Sequence, residues 1–189
     1  MDIRLDGRAA LITGSSEGLG KGMTIKFAGS GADVAILARR QDVLDAAVAE
    51  IDAAGPGKVA AISCDLLDAG ATADACATSE GALGKTDIVV NNARTSQAGP
   101  FLTITDEEWH DDFELKLFAA VRLCRLAIPA MQSRKWGRII NVLNIGGKAQ
   151  GTNGETEVFA NIACFLASDE GGYITGTAIN VDGGRSPVV

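Results

Sequence analysis

Thr13-Gly14-Ser15-Ser16-Glu17-Gly18-Leu19-Gly20 follows the apolar run Ala9–Thr13 (AALIT) and leads into a helical stretch, Leu19–Ser30. A short aliphatic run reads as a buried strand, so these glycines fall where a first strand turns into a first helix. Glycine permits a tight turn and lets the backbone approach a ligand closely. The N-terminus of the following helix offers unpaired N–H groups and a positive dipole end to an anion. Three glycines alone are weak evidence, because helices are often flanked by glycine. After a first strand and opening a first helix, they point to a dinucleotide phosphate loop. Gly14, Ser15, Ser16, Gly18, Leu19 and Gly20 are the candidate cofactor-binding residues of that loop.

Outward from the loop the same alternation repeats. Asp33–Ala38, Val59–Ser63, Asp87–Asn91 and Arg138–Leu143 are short, largely aliphatic runs, each read as a strand buried on both faces. Helical segments separate them at Gln41–Ala54, Ala69–Leu83 and Asp106–Arg134. Asp68 and Thr105 are expected N-caps, Thr105 with Glu108 as a capping box, and Gly31, Gly55 and Gly84 stand where helices should stop. Repeated β-α-β-α order predicts an α/β fold: a Rossmann-like doubly wound parallel sheet in three layers, within one domain over residues 1–189. In the long fourth helix Trp109, Phe113, Leu117, Val121, Cys124, Ile128 and Met131 recur every three or four residues. Leu115, Phe118, Leu123 and Leu126 add apolar residues on its other faces. A helix this apolar needs cover on two sides, from the sheet and from a further helix or subunit, or it is a deep core helix of the monomer.

Composition narrows the function. Apolar residues make up 47% of the chain and charged residues 22%, the balance of a protein with a full core. Seventeen Lys+Arg against 24 Asp+Glu leave a net charge of −7, without the basic footprint that a nucleic-acid partner requires. The N-terminal MDIRLDGRAALITG lacks a secretory apolar core, and no stretch approaches the ~20 apolar residues of a membrane span. A cytoplasmic protein without membrane association is expected. Cys64, Cys76, Cys124 and Cys164 are widely spaced and only one histidine is present, so reduced thiols are expected and no metal site.

The spacing TGxxxGxG resembles the short-chain dehydrogenase/reductases, whose loop is wider than the usual GxGxxG. Asn91-Asn92-Ala93 resembles that family's NNAG motif, Cys64-Asp65-Leu66 its adenine-contacting aspartate site, and Gly137–Asn141 the entry to its fifth strand. Phe165–Asp169, Ile174–Gly176 and Val181–Gly184 resemble its C-terminal helix and last strand. The resemblance runs in order from Arg8 to Gly184 and is nearest the 3-oxoacyl-carrier-protein reductase type. It implies hydride transfer between a nicotinamide cofactor and a small carbonyl or alcohol substrate, in a homodimer or homotetramer. It also implies that Asp65 bonds the adenine amino group, that the Leu66 amide meets a ring nitrogen, and that Asn91 and Ala93 line the adenosine-ribose side. The family's NNAG glycine is Arg94 here.

The second strand ends in Ala38-Arg39-Arg40, with no carboxylate before Asp42 to accept a ribose 2′-hydroxyl. Arg39 suits a 2′-phosphate instead, which favours NADP(H) over NAD(H). Glu17 pulls the other way, because a carboxylate beside a phosphate is unfavourable.

The chemical half of the family's site does not match. The family uses a tyrosine phenol as proton donor, a lysine four residues later, a serine that polarises the carbonyl and an asparagine on the fourth helix. The only tyrosine here, Tyr173, lies near the C-terminus with Thr177 four residues on. Asn144 stands at the serine position and Lys116 at the asparagine position, and these two are the catalytic candidates. Between the loop Gly146–Gly154 and the helical stretch from Glu155 the family places its catalytic helix, a sixth strand and a substrate lid, a block worth more than the ~30 residues of one βα unit. Either the physical molecule carries that block as a mobile segment outside these 189 residues, or the deletion is genuine. In the second case the last strand, Thr177–Val181, pairs with the fifth or leaves a gap, and the helix Asp106–Arg134 loses cover. The intact cofactor features favour the first. The rivals to an oxidoreductase are an inactive nucleotide-binding or oligomerisation protein and, more weakly, an interaction module that has lost its cofactor through Glu17 and Arg94.

Overall fold

The computed structural model describes residues 2–94, 100–143 and 153–183. Five strands form one parallel sheet: β1 (Ala9–Thr13), β2 (Asp33–Ala38), β3 (Val59–Ser63), β4 (Ile88–Asn91) and β5 (Arg138–Asn141), in the order β3-β2-β1-β4-β5. Its helices are α1 (Gly18–Gly29), α2 (Gln41–Asp52), α3 (Ala69–Leu83), α4 (Asp106–Phe113), α5 (Ala119–Arg134) and α6 (Asn153–Ala167). In-register pairing sets Thr13 beside Leu37 and Ile12 beside Val90, so the order reverses at β1 and opens a crevice at the carboxyl ends of β1 and β4.

The doubly wound arrangement follows from β1, in which every residue is buried. Ala10 and Ile12 enter one core with Met23 and Phe27 of α1, Leu44 and Ile51 of α2, and Ala160, Ala163 and Cys164 of α6. Ala9 and Leu11 enter a second core with Ala75 and Leu83 of α3 and Ala119, Leu123, Ala127 and Met131 of α5. The two cores make the expected three layers. Asp68 caps α3 by accepting from the Ala71 N–H at 2.9 Å, Thr105 and Glu108 close a capping box on α4, and Gly84 ends α3 at φ 83°.

Four expectations change. The long fourth helix is interrupted by a π turn over Glu114–Phe118, and the strand expected to run to Leu143 ends at Asn141. The buried stripe of that helix is Ala119, Leu123, Ala127 and Met131, whereas Trp109, Phe113 and Leu117 stay exposed with Phe118 and Leu126. Ala119 and Ala127, alternating with Leu123 and Met131 at four-residue spacing, let α5 lie close on the sheet and turn the bulkier residues outward. Finally, Thr177–Val181 forms no strand: among the described residues β5 is the last strand of the sheet, and residues 177–180 lie exposed.

The C-terminal segment is nevertheless anchored. Gly22 of α1 faces Thr156 so closely that a Cβ there would lie 2.4 Å from the Thr156 methyl. After α6, Asp169 accepts from the Trp136 indole N–H at 2.9 Å and from Arg8 at 3.1 Å, while the Arg8 guanidinium stacks 3.6 Å over the Trp136 ring. This cluster ties the end of α6 to the entries of β1 and β5.

Burial also determines the thiol chemistry. The Cys76 thiol is pushed up to about 11 from 9.0, first by desolvation and then by Glu80, and burial likewise raises Cys64 and Cys164. Thiolates are the reactive form, so these three thiols should resist alkylation in the native protein at neutral pH and react fully in denaturant. Mass spectrometry after iodoacetamide labelling checks this. Raised folded-state values mean the native state holds these protons more tightly than the unfolded chain. For Cys76 that stabilisation is complete below pH 9.0 and is lost as pH rises through about 11, so the melting temperature should fall across that window.

Candidate functional site

The carboxyl edge of the sheet is built around the Thr13 hydroxyl. Its Oγ1 accepts from the backbone N–H groups of Asn92 and Ala93, each at 2.9 Å, and donates to the Val90 carbonyl at 3.3 Å. The Asn92 amide returns the connection, donating from Nδ2 to the carbonyls of Thr13 and Gly14, both at 3.0 Å. Ser15 ties the loop to β2: its hydroxyl donates to the Ile12 carbonyl at 2.8 Å and accepts from the Leu37 N–H at 3.1 Å. Ser15 is fully buried, so its side chain holds the loop from behind.

This lacing leaves no room for side chains. A Cβ on Gly14 would lie 2.8 Å from the Ala93 Cα, and one on Gly20 would lie 2.1 Å from the Gly14 carbonyl oxygen. Gly14 and Gly18 take φ of 62° and 56°, the left-handed region that glycine enters freely, and no atom lies within 4 Å of where a Gly18 Cβ would point. The N-cap of α1 is Glu17, whose side chain makes no capping bond. The first-turn N–H groups therefore have no side-chain cap, and the positive end of α1 meets open space at the crevice. Such a terminus suits a phosphate.

Around the loop stand the other candidates. Arg39 is exposed at the end of β2, and its carbonyl accepts from the Ser63 hydroxyl at 3.0 Å. Arg40 reaches the loop itself, pairing with Glu17 at 2.9 Å. Asp65 is exposed in the turn after β3 and accepts from the Leu67 N–H at 3.1 Å, while Leu66 is buried in the second core. Asn91 turns toward β5: its Nδ2 donates to the Asn141 side-chain oxygen at 2.8 Å, and its own buried Oδ1 has no partner among the described residues. Ala93 sits half-buried against the second core and Arg94 is exposed.

Of the two catalytic candidates, the structure describes only Lys116. Lys116 lies in the π turn, paired with Asp112 one turn earlier, and Asn144 lies outside the described residues. The π turn inserts one residue into the helix at this point. Tyr173 is fully exposed after α6. Thr13 and Asn92 were given no role by motif spacing. The available signal was polarity: two polar residues at the inner ends of otherwise aliphatic strands need buried partners.

The sequence matches the family model described as short chain dehydrogenase over residues 8–156, and that described as Enoyl-(Acyl carrier protein) reductase over residues 147–186. The two meet across the stretch where motif spacing places the missing block. An uncharacterized oxidoreductase of Bacillus subtilis, YvrD, is 36% identical over 149 residues, 78% of this chain and 55% of that protein. The chain spans about half the length of the curated relatives it matches. Among solved structures, a metagenomic short-chain oxidoreductase in complex with NADP is similar at a TM-score of 0.77 and 28% identity, covering 86% of this chain and 91% of that one. A 7α-hydroxysteroid dehydrogenase complexed with NADH and 7-oxo glycochenodeoxycholic acid matches at a TM-score of 0.72 and 29% identity, covering 86% of this chain and 63% of the other.

Proposed function

The chain belongs to the short-chain dehydrogenase/reductase family, and from that membership we propose that it serves hydride transfer between NADP(H) and a carbonyl or alcohol substrate such as a 3-oxoacyl thioester. The observation that carries this reading is the Gly14–Gly20 loop, held so tightly to Asn92 and Ala93 that no Cβ fits at Gly20, and opening an uncapped helix. These residues fit a nicotinamide dinucleotide. The loop and the first turn of α1 hold the pyrophosphate through backbone N–H groups, and Arg39 meets a 2′-phosphate. Asp65 and the Leu66 amide take the adenine, and Asn91 and Ala93 border the adenosine ribose. NAD(H) uses the same loop, and the solved neighbours carry both kinds of cofactor. When bound, the cofactor supplies or accepts the hydride.

The proton is the open half of the reaction. Asn144 can donate a hydrogen bond to a substrate carbonyl, and Lys116 can place a positive charge near it, but neither replaces a phenol paired with a lysine. The exposed apolar face of Phe113, Leu117, Phe118 and Leu126 fits a homodimer or homotetramer within this reading. Among the described residues, no helix is long and apolar enough to cross a membrane.

One observation favours a second reading: the only tyrosine, Tyr173, is fully exposed with Thr177 four residues on, as in a nucleotide-binding protein without turnover. Fluorescence titration with NADPH, followed by absorbance assays with NADPH and a 3-oxoacyl thioester, separates the two. Saturable binding with turnover supports hydride transfer. Saturable binding without turnover selects the second reading, and no binding at millimolar cofactor rejects both.

A further inference from the structure

We propose that two copies of this chain exchange their C-terminal arms, residues 170–183, each laying Thr177–Val181 along the open edge of the other's β5. The proposal concerns the 189-residue chain and does not depend on the dinucleotide site.

Among the described residues β5 is bonded on one side only. The Arg138 N–H donates to the Asp87 carbonyl and the Val142 N–H to the Asn91 carbonyl, so Arg138, Ile140 and Val142 face β4. Alternation along the strand then turns the N–H and C=O groups of Ile139 and Asn141 to the other side. Both residues are exposed, and Leu143 beyond them is 81% exposed. Native sheet edges are guarded by lysine, proline or a bulge, and Ile139–Leu143 carries neither residue and pairs with β4 in register. Arg138 is occupied elsewhere, donating to the carbonyls of Gly137 at 3.0 Å and Ser168 at 3.3 Å.

The arm supplies what this edge lacks. It starts beside the entry of β5, where Arg8 and Trp136 hold Asp169 and a Cβ on Gly172 would lie 3.0 Å from the Arg138 guanidinium. From there Tyr173 to Ile179 lie exposed, and Thr177–Val181 has the composition of a strand without forming one. Chirality explains why the arm does not close on its own β5. The step from β4 to β5 crosses through α5 on the side of the second core, and a further right-handed step in that direction must cross there too. The preceding helix, α6, lies on the side of the first core. A parallel strand after α6 beside its own β5 would therefore need a left-handed crossover, which chains almost never make. An arm from another copy is under no such constraint. The residues from Gly171 to Thr177 span up to about 20 Å when extended, enough to cross several strand spacings.

Area and charge fit a second copy. Tyr173, Ile174 and Ile179 on the arm and Ile139 and Leu143 at the edge, taken from both copies, offer roughly 1,200 Å² of apolar surface, the lower end of specific interfaces. Neither Ile139–Leu143 nor Thr177–Val181 contains a charged residue, so the net charge of −7 on each copy does not fall on the junction. Reciprocal exchange about a two-fold axis closes the assembly at two copies.

Hydrogen–deuterium exchange of the peptide carrying Thr177–Val181, read by mass spectrometry, tests this, with circular dichroism confirming that each variant folds. At about 100 µM its amides should exchange at least tenfold more slowly than in an unstructured peptide. Ile139→Lys should remove that protection although it lies outside the peptide, and Leu143→Lys, at a more exposed position, serves if Ile139→Lys fails to fold. Ile179→Pro should remove it too, because proline cannot donate to the added ladder. Mixing Ile139→Lys with Ile179→Pro should restore protection to the arm of the Ile139→Lys chain alone, since only that arm meets an intact edge. Unprotected arm amides in the wild type, the result expected of association through the α5 face alone, would overturn the exchange. So would protection that survives both lysine variants, or a mixture that restores nothing, which is the result for an arm paired within its own chain.

Discussion

Gly20→Ala should abolish dinucleotide binding and lower stability at once. The added Cβ would lie 2.1 Å from the Gly14 carbonyl oxygen, 2.8 Å from the Gly14 carbonyl carbon and 2.5 Å from the Asn92 Nδ2. Two of these neighbours are backbone, so no rotamer change relieves the collision. Gly14 must retreat, and the two Asn92 hydrogen bonds that hold the loop against β4 go with it. Losing both bonds and leaving a buried amide partly unsatisfied costs about 2–4 kcal/mol, visible as a shift in the denaturation midpoint. Affinity for NADPH should fall by about a hundredfold or more, because the N–H groups proposed to hold the pyrophosphate lose their common geometry. Gly18→Ala is the matched control. No atom of the protein lies within 4 Å of its new Cβ, and the only penalty to the fold is a φ of 56°, worth about 1 kcal/mol. A Gly20→Ala protein that binds NADPH like wild type would refute the loop geometry.

The contrast between these two glycines shows what spacing reveals. The TGxxxGxG pattern marks the loop, and the aliphatic runs mark all five strands to within two residues at each end. Both signals are local, carried by the composition of four to eight consecutive residues. Gly20 is packed by the Gly14 carbonyl and by the Asn92 amide, about seventy residues away in sequence, whereas nothing lies near Gly18. The same applies to Glu17, whose conflict with a phosphate was legible, and Arg40, whose pairing with it was not: spacing singles out Arg39, and the geometry places Arg40 against the loop. The stripe on the long helix was misread for a different reason. Bulky residues dominate a periodic pattern, whereas close packing on the sheet selected Ala119 and Ala127. The failed last strand is also a long-range effect, since Thr177–Val181 has strand composition but, among the described residues, no strand beside it.

The opposite edge of the sheet provides a test of stability that should spare the site. Asp87 is buried at the start of β4, and its carboxylate accepts from the Ala9 N–H at 3.2 Å and pairs with Lys85 at 2.8 Å and Arg134 at 3.3 Å. Its backbone joins the same junction, donating to the Ala9 carbonyl at 2.8 Å and accepting from the Arg138 N–H at 3.0 Å. One residue therefore links β1, the end of α5 and the entries of β4 and β5. Asp87→Ala strips the acceptor from a buried N–H and leaves two cations without their carboxylate. Removing one partner of a fully buried pair costs 3–5 kcal/mol, but Lys85 and Arg134 are each about a third exposed and regain water. The expected loss is about 2–3 kcal/mol, or about 5–10 °C in melting temperature for a chain of this length. Asp87→Asn should lose less, because its carbonyl oxygen still accepts from Ala9. Asp6→Ala removes an ion pair with Arg4 that is open to solvent and should melt with the wild type. NADPH affinity at a temperature where all three variants remain folded should match wild type, since Asp87 stands at the amino ends of the strands and the loop at their carboxyl ends. A drop in affinity with Asp87→Ala would mean that the two edges of the sheet are coupled through β4. An unchanged melting temperature would show that the buried carboxylate does not hold the junction.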